Sequence, residues 1–313
     1  MYKQTNFIYT ILFLLILNSC GTSNNISSVH YDSETNPILS IDYSNTKIPI
    51  WIIGDSTVTT YTEKDSRKGW GQMIKPMFKN PLRVENRARA GASSKSFKPT
   101  LQWDGNFFWG NGISHTSIRE GNQSGLMEDI SQSDTSNGAL LIIQFGHNDV
   151  YTKDYNASKC TVPGLGNEFD IQLMEYIHFA KKHNVTPILV TPMVRMFHSS
   201  LSESYAHVEK KLSNNTPPPW EDMRGKKGDW PQTIRDIAKR ENLILIDLTK
   251  KSKEHFTRDF ISNQAIKDAY SWNGKDFTHF NRKGAQKMAD FIKELSCDIE
   301  KVQNTGLCNQ FRE

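Results

Sequence analysis

The sequence holds few of the residues from which metal and redox sites are built. Of 313 residues only 4 are cysteine and 9 are histidine. It contains no Cys-x-x-Cys pair, no His-Glu-x-x-His and no EF-hand loop. Nothing therefore calls for a metal ion, and no cofactor is expected. No stripe of lysine and arginine with interleaved aromatics stands out, and the formal charge of +4 is modest for this length. Nucleic acid is accordingly not an expected partner. Apolar runs are short, and none reaches the roughly 20 residues that cross a bilayer as a helix. There is no internal repeat and no sign of a second domain. What remains, 37% hydrophobic and 23% charged residues, suits a soluble globular protein expected to be a monomer.

The N-terminus differs in kind from the rest. Lys3 precedes the apolar stretch Phe7–Leu17, and Asn18-Ser19-Cys20-Gly21 follows. A charged start, a short apolar region and small residues before the cut describe a secretory signal over residues 1–19. Leu17-Asn18-Ser19-Cys20 also resembles a bacterial lipobox. That resemblance implies lipidation of Cys20 and a membrane anchor in the periplasm or on the outer membrane or cell surface. Residues 20–46, rich in Ser, Asn and Thr, read as a flexible tether. Residues 47–313 are left for the folded domain. In an oxidising compartment Cys297 and Cys308 could pair and pin the tail, leaving Cys160 free, or Cys160 could pair with one of them.

Strand-like segments lie at 48–53, 82–86, 139–145, 186–191 and 243–247. Helical spacing of apolar residues occurs over 168–183, with Asn184 able to close the helix. It recurs over 230–241, with Asp229 as N-cap, and over 283–296. Five short apolar strands joined by helical crossovers predict an α/β fold with a parallel sheet covered on both faces.

Chemistry concentrates where strands end. Gly54-Asp55-Ser56-Thr57-Val58 follows the apolar run Ile48–Ile53. Ser56 thus falls at a strand's carboxyl end, where ligands of open α/β sheets bind. Far along the chain, Asp276-Phe277-Thr278-His279 lets an Asp and a His face one way. Ser, His and Asp are the set that acyl transfer uses. Gly91 and Gly146 likewise follow strand-like segments, each beside a cluster of polar groups.

Four blocks in order resemble the SGNH (GDSL-type) hydrolases, and within them the rhamnogalacturonan acetylesterase-like group. They are Gly54-Asp55-Ser56, Gly91 within Ala90–Ser94, Gly146-His147-Asn148-Asp149, and Asp276-Phe277-Thr278-His279-Phe280-Asn281. Gly69-Trp70-Gly71, Thr161–Gly164 and Thr191–Arg195 are similar to the same group, so the likeness covers roughly residues 48–296. It implies a three-layer α/β/α flavodoxin-like sandwich on a five-stranded parallel sheet. It also implies Ser56 as nucleophile, His279 as general base and acid, and Asp276 as the group that orients His279. The N–H groups of Ser56 and Gly91 and the Asn148 amide would form the oxyanion hole.

Two insertions interrupt the plan, at 101–125 with Trp103 and Trp109, and at 197–228. Aromatic loops at the carboxyl edge of a sheet suit sugar rings, though each ring could simply anchor its loop. His147 could donate behind the site or be a satisfied turn residue. Arg195 could reach a carboxylate on an acidic polysaccharide, or sit in an ion pair. The expected activity is removal of acetyl groups from a plant polysaccharide, most of all pectic rhamnogalacturonan, by an exported serine esterase. A lipase or thioesterase on the same fold and a non-catalytic glycan-binding lipoprotein are the alternatives.

Overall fold

The computed structural model describes residues 48–97, 117–118, 126–149, 160–196, 229–303 and 306–313. Its strands are β1 (Ile50–Gly54), β2 (Thr60–Tyr61), β3 (Val84–Asn86), β4 (Ser117–Ile118), β5 (Ala139–Gln144), β6 (Val185–Val190) and β7 (Ile244–Ile246). Five of them form one sheet in the order β3-β1-β5-β6-β7. Every pairing in it is parallel. Strands β2 and β4 make a separate antiparallel pair. The helices are α1 (Trp70–Ile74), α2 (Ser94–Phe97), α3 (Leu126–Gln132), α4 (Glu168–Lys182), α5 (Trp230–Arg240), α6 (Leu248–Asp259), α7 (Asn263–Tyr270) and α8 (Arg282–Gln303).

The unbroken apolar run of β1 follows from burial of both faces. Successive side chains of a strand point to opposite sides. Ile50 and Ile52 enter one core with Leu140 and Ile142 of β5. Trp51 and Ile53 enter the other with Leu141 and Ile143. Residues of α1, α6, α7 and α8 cover the first side, among them Trp70, Phe256, Tyr270 and Met288. Residues of α2 to α5 cover the second, among them Phe169, Ile177, Trp230 and Ile234. Emptying one such position, for example Ile52→Ala, would cost about 2–5 kcal/mol.

Helix ends follow local chemistry. Asp229 caps α5 by accepting from the Gln232 N–H at 2.9 Å. Asn184 takes φ +58° and Asn242 φ +50° just past α4 and α5, a left-handed turn that Asn tolerates better than most residues. The last helix outruns the expected 283–296. It continues to Gln303, so Cys297 lies inside it rather than at its end. Cys297 is disulfide-bonded to Cys308, which turns the tail back onto the domain. There Phe311 stacks on Phe78 with centroids 4.4 Å apart. Cys160 is buried, and since Cys297 and Cys308 are bonded to each other it pairs with neither.

Candidate active site

The topology carries three loops to one end of the sheet, after β1, β3 and β5. The loop after β1 leaves through Gly54. A Cβ there would stand 2.6 Å from Val58 Cγ2 and 2.7 Å from the Gln144 carbonyl, so glycine is required for the backbone to pass. The turn is then fixed by its neighbours. Val58 and Thr59 donate their N–H groups to the Asp55 carbonyl, each at 3.1 Å, and the Trp70 N–H reaches the Thr57 carbonyl at 2.8 Å. Tyr61 Oη donates to the Ser56 carbonyl at 2.9 Å. Ser56 is held on both sides, and its hydroxyl is left for His279.

That hydroxyl lies 2.9 Å from His279 Nε2. On the other edge of the ring, His279 Nδ1 is 2.8 Å from Asp276 Oδ2. A carboxylate facing Nδ1 places the ring proton there, which leaves Nε2 to accept from Ser56. Asp276 receives three more donors: the N–H groups of Thr278 at 2.6 Å and His279 at 3.0 Å on Oδ1, and Trp272 Nε1 at 2.9 Å on Oδ2. Burial alone would raise the Asp276 pKa. The hydrogen bond and charge of His279, with the two backbone donors, outweigh burial and hold it well below the ordinary carboxylate range. Asp276 is therefore an anion throughout the working pH range.

The groups expected to meet a developing oxyanion lie on the loops that follow β1, β3 and β5. Gly91 sits at φ +72°, in the left-handed region that glycine occupies without strain. Among the described residues, the N–H groups of Ser56 and Gly91 donate to no protein acceptor. Asn148 is buried, and its Nδ2 donates one hydrogen to the Ala92 carbonyl at 2.9 Å. That bond orients the amide, and Nδ2 carries a second hydrogen. Preorganised neutral donors of this kind are what stabilise charge on an ester oxygen.

The residue after Asn148 locks these pieces together. Asp149 is wholly buried and accepts from Ser94 Oγ at 2.5 Å, from the Ser94 N–H at 3.1 Å and from Thr161 Oγ1 at 3.1 Å. Burial pushes it up to about 7 against the pull of those donors, with the charge of Asp55 adding to the rise. Asp149 thereby ties the loop after β5 to the segment that follows Gly91.

His147 and Arg195 lie beneath the site rather than open to a substrate. The His147 ring is buried, with Nδ1 3.2 Å from Asp55 Oδ2 and Nε2 3.0 Å from the Met193 carbonyl. Asp55 also accepts from the Thr57 N–H and hydroxyl, each at 2.8 Å. Burial would raise the Asp55 pKa, but the charge and hydrogen bond of His147, followed by the Thr57 donors, bring it below the usual value. Thr57 Oγ1 in turn accepts from Gln144 Nε2 at 2.8 Å, and Gln144 Oε1 accepts from Trp70 Nε1 at 2.7 Å. A buried polar chain thus runs under the Ser56 turn. Arg195 is buried as well. Its guanidinium donates to Thr278 Oγ1 and to the His147 carbonyl. Arg195, expected either to reach a polysaccharide carboxylate or to sit in an ion pair, is thus placed against Thr278 of the Asp276–His279 loop. Trp103, Trp109 and Cys20, with the segment 119–125 and all of 197–228, lie outside the described residues.

Four groups in this arrangement escape a reading of the sequence. Gln144 closes β5 as its one polar residue, and a lone amide at the end of an apolar strand is the signal that marks it. Asp149 stands beside Asn148 in the block itself. Tyr61 and Trp272 are close in sequence to Ser56 and Asp276, but neither belongs to a spacing that marks it.

A family profile described as GDSL-like Lipase/Acylhydrolase matches residues 50–292 of this chain. The Bacillus subtilis (strain 168) protein named probable rhamnogalacturonan acetylesterase YesY is 28% identical over 261 residues, 80% of this chain and 94% of that one. Rhamnogalacturonan acetylesterase RhgT from the same strain is 26% identical over 260 residues, 79% of this chain and 88% of that one. The crystal structure of the Bacillus subtilis protein YXIM is similar with a TM-score of 0.53 at 22% identity, covering 82% of this chain and 58% of that one. The chain thus spans less than two thirds of that protein, and the likeness speaks to the fold alone.

Proposed function

This chain belongs to the GDSL-like lipase/acylhydrolase family and is a carboxylic ester hydrolase, and we propose that the ester it cleaves is an acetyl group on a polysaccharide, with pectic rhamnogalacturonan as the substrate. The observation that carries the reading is the unbroken relay from Asp276 through His279 to Ser56, beside two backbone N–H groups that have no acceptor among the described residues. Two relatives named for rhamnogalacturonan acetylesterase activity support the choice of substrate.

In this mechanism Ser56 Oγ attacks the acetyl carbonyl as His279 Nε2 takes its proton. The negative charge on the carbonyl oxygen is met by the N–H groups of Ser56 and Gly91 and by the Asn148 amide. The tetrahedral intermediate collapses, the C–O bond to the sugar breaks, and His279 returns the proton to the departing sugar hydroxyl. Water then gives a proton to His279 and its oxygen to the acyl carbon, releasing acetate and restoring Ser56. Asp276 stays ionised and stabilises the imidazolium in each half.

The wider assignment places the catalytic domain at 47–313, behind a signal over 1–19 and a tether over 20–46. Lipidation of Cys20 would hold it at a bacterial periplasmic or outer-membrane surface. The N-terminal apolar stretch and Leu17-Asn18-Ser19-Cys20 support this. Membrane partitioning of the wild type, lost in Cys20→Ser, tests it.

The test of the activity is acetate release from a panel of acetylated glycans, with Ser56→Ala as control. Loss of at least about a thousandfold in the variant, with rhamnogalacturonan the best substrate, supports the reading. Preference for acyl chains of about eight carbons or more would instead mark an apolar acyl groove and end it.

A further inference from the structure

Trp272 lies between α7 and the Asp276–His279 loop and is bound to that loop twice. Its backbone N–H donates to the His279 carbonyl at 3.2 Å. Its indole Nε1 donates to Asp276 Oδ2 at 2.9 Å, the oxygen that also accepts from His279 Nδ1. Besides His279 itself, Trp272 supplies the one side-chain donor to that carboxylate among the described residues. A cation steadies the ring. The Arg67 guanidinium carbon is 5.8 Å from the Trp272 centroid and 4.9 Å from that of Tyr61. Arg67 is itself gripped by Asp65, with Nη2 to Oδ2 at 2.7 Å.

A residue held so firmly is usually buried, yet Trp272 is 37% exposed. Its polar edge is spent on Asp276, so the surface it offers to solvent is aromatic carbon. An immobilised aromatic face loses little conformational freedom when a ligand covers it. The C–H face of a pyranose is the ligand chemistry it fits, since the sugar's apolar side packs on the ring while its hydroxyls stay wet.

We propose that Trp272 links substrate binding to the catalytic relay: its exposed face packs against a pyranose ring of the acetylated glycan, and its indole N–H holds Asp276 in register with His279. This rests on the glycan esterase reading. Trp272 is a positioning residue toward Asp276 and a specificity residue toward the sugar. Loss of the indole N–H leaves more of the Asp276 charge to His279 Nδ1. The imidazolium is then favoured, and the neutral base forms at higher pH. The charged and titratable groups around the relay are Asp55, Tyr61, Asp65, Arg67, Arg195 and Lys267; Arg67 loses its Trp272 ring contact in Trp272→Ala but keeps Asp65 and the Tyr61 ring.

Two variants separate the two roles, since Trp272→Phe and Trp272→Ala both lose the donor while only alanine loses the face. On a small aryl acetate, both should lower kcat by about tenfold and move the acid limb of the rate–pH profile upward by about half a unit. On acetylated rhamnogalacturonan, Trp272→Ala should raise KM about tenfold above Trp272→Phe. A wild-type kcat and acid limb in Trp272→Phe would overturn the hold on Asp276. Equal KM for the two variants on a glycan that the wild type deacetylates would overturn the docking role alone. A wild type that cleaves the aryl ester but no glycan would overturn the substrate reading and the docking role together, while the hold on Asp276 would still be read on the aryl ester.

Discussion

Replacing Asp149 by Asn should flatten part of the protein's pH dependence of stability. The carboxyl is wholly buried and reaches about 7, against an ordinary 3.8. Between those two values the folded state binds a proton that the unfolded chain has released. A group with a raised folded pKa contributes stability that is complete below the unfolded value and is lost as pH rises through the folded value. At pH 5 the folded state holds about two units of that difference and at pH 8 almost none. At about 1.4 kcal/mol per unit, the wild type loses about 2–3 kcal/mol across this span from Asp149 alone. Asn cannot titrate. Its oxygen, placed where Oδ1 lies, still accepts from Ser94 Oγ, Ser94 N–H and Thr161 Oγ1, so the loop after β5 stays tied to the segment after Gly91. Urea unfolding of both proteins at pH 5, 6, 7 and 8 is the assay. All other titrating groups are shared, so their contributions cancel in the difference. The gap between variant and wild type should move by about 2–3 kcal/mol in favour of the variant from pH 5 to 8. Two parallel curves would refute the reasoning, because they would mean that the three donors keep Asp149 ionised at ordinary pH.

Other substitutions bear on the chemistry and on the tail. Asn148→Ala should cost about 2.7–4 kcal/mol of transition-state stabilisation, read in kcat; a change confined to KM would assign the amide to ground-state binding. Asp276→Asn should lower kcat by about ten-thousandfold with KM little altered, because the ring loses the acceptor that sets its tautomer. The Asp276 pKa is depressed, so the stability it gives is present above the ordinary carboxylate value and is lost only as pH falls through the folded one. Acid titration monitored by circular dichroism should therefore show no Asp276-dependent step between pH 5 and 8. Cys308→Ser opens a short loop, the bonded cysteines being 11 residues apart, and should lower stability by about 3 kcal/mol; an unchanged melting temperature would show that Phe311 and the backbone bonds of Gln310 and Arg312 hold the tail without the disulfide.

The sheet was legible because β1 is wholly apolar and β5 and β6 carry one polar residue each, a pattern that arises when both faces of a strand are covered. Helix α5 was legible from Asp229 and its apolar spacing. Helices α6 and α7 were not: Leu248–Asp259 is mostly charged and polar, with few apolar residues, and it is drawn into a helix by packing Leu248 and Phe256 against α8 and the sheet. In the site, Ser56, Gly91, Asn148, Asp276 and His279 stood out because each ends or follows a strand or lies in a recognisable spacing. The direction of Arg195 could not be read, since it depends on Thr278, 83 residues away. Nor could Trp272 be singled out, for the neighbours that give it meaning are Asp276 Oδ2 and the Arg67 guanidinium.

The hydrogen bond between Ser56 and His279 joins residues 223 positions apart. The attacking group is made with the first strand of the sheet, the base with the loop before the final helix. A ribosome adding roughly 5–20 residues per second needs roughly 10–45 s to pass from one to the other. Throughout that interval the nascent chain holds a serine without a base. No fragment that ends before the Asp276–His279 loop can turn over an ester by this relay, however well its early strands have paired. Hydrolytic power arrives late in synthesis and all at once, so the timing of activity is written into the order in which the chain is made.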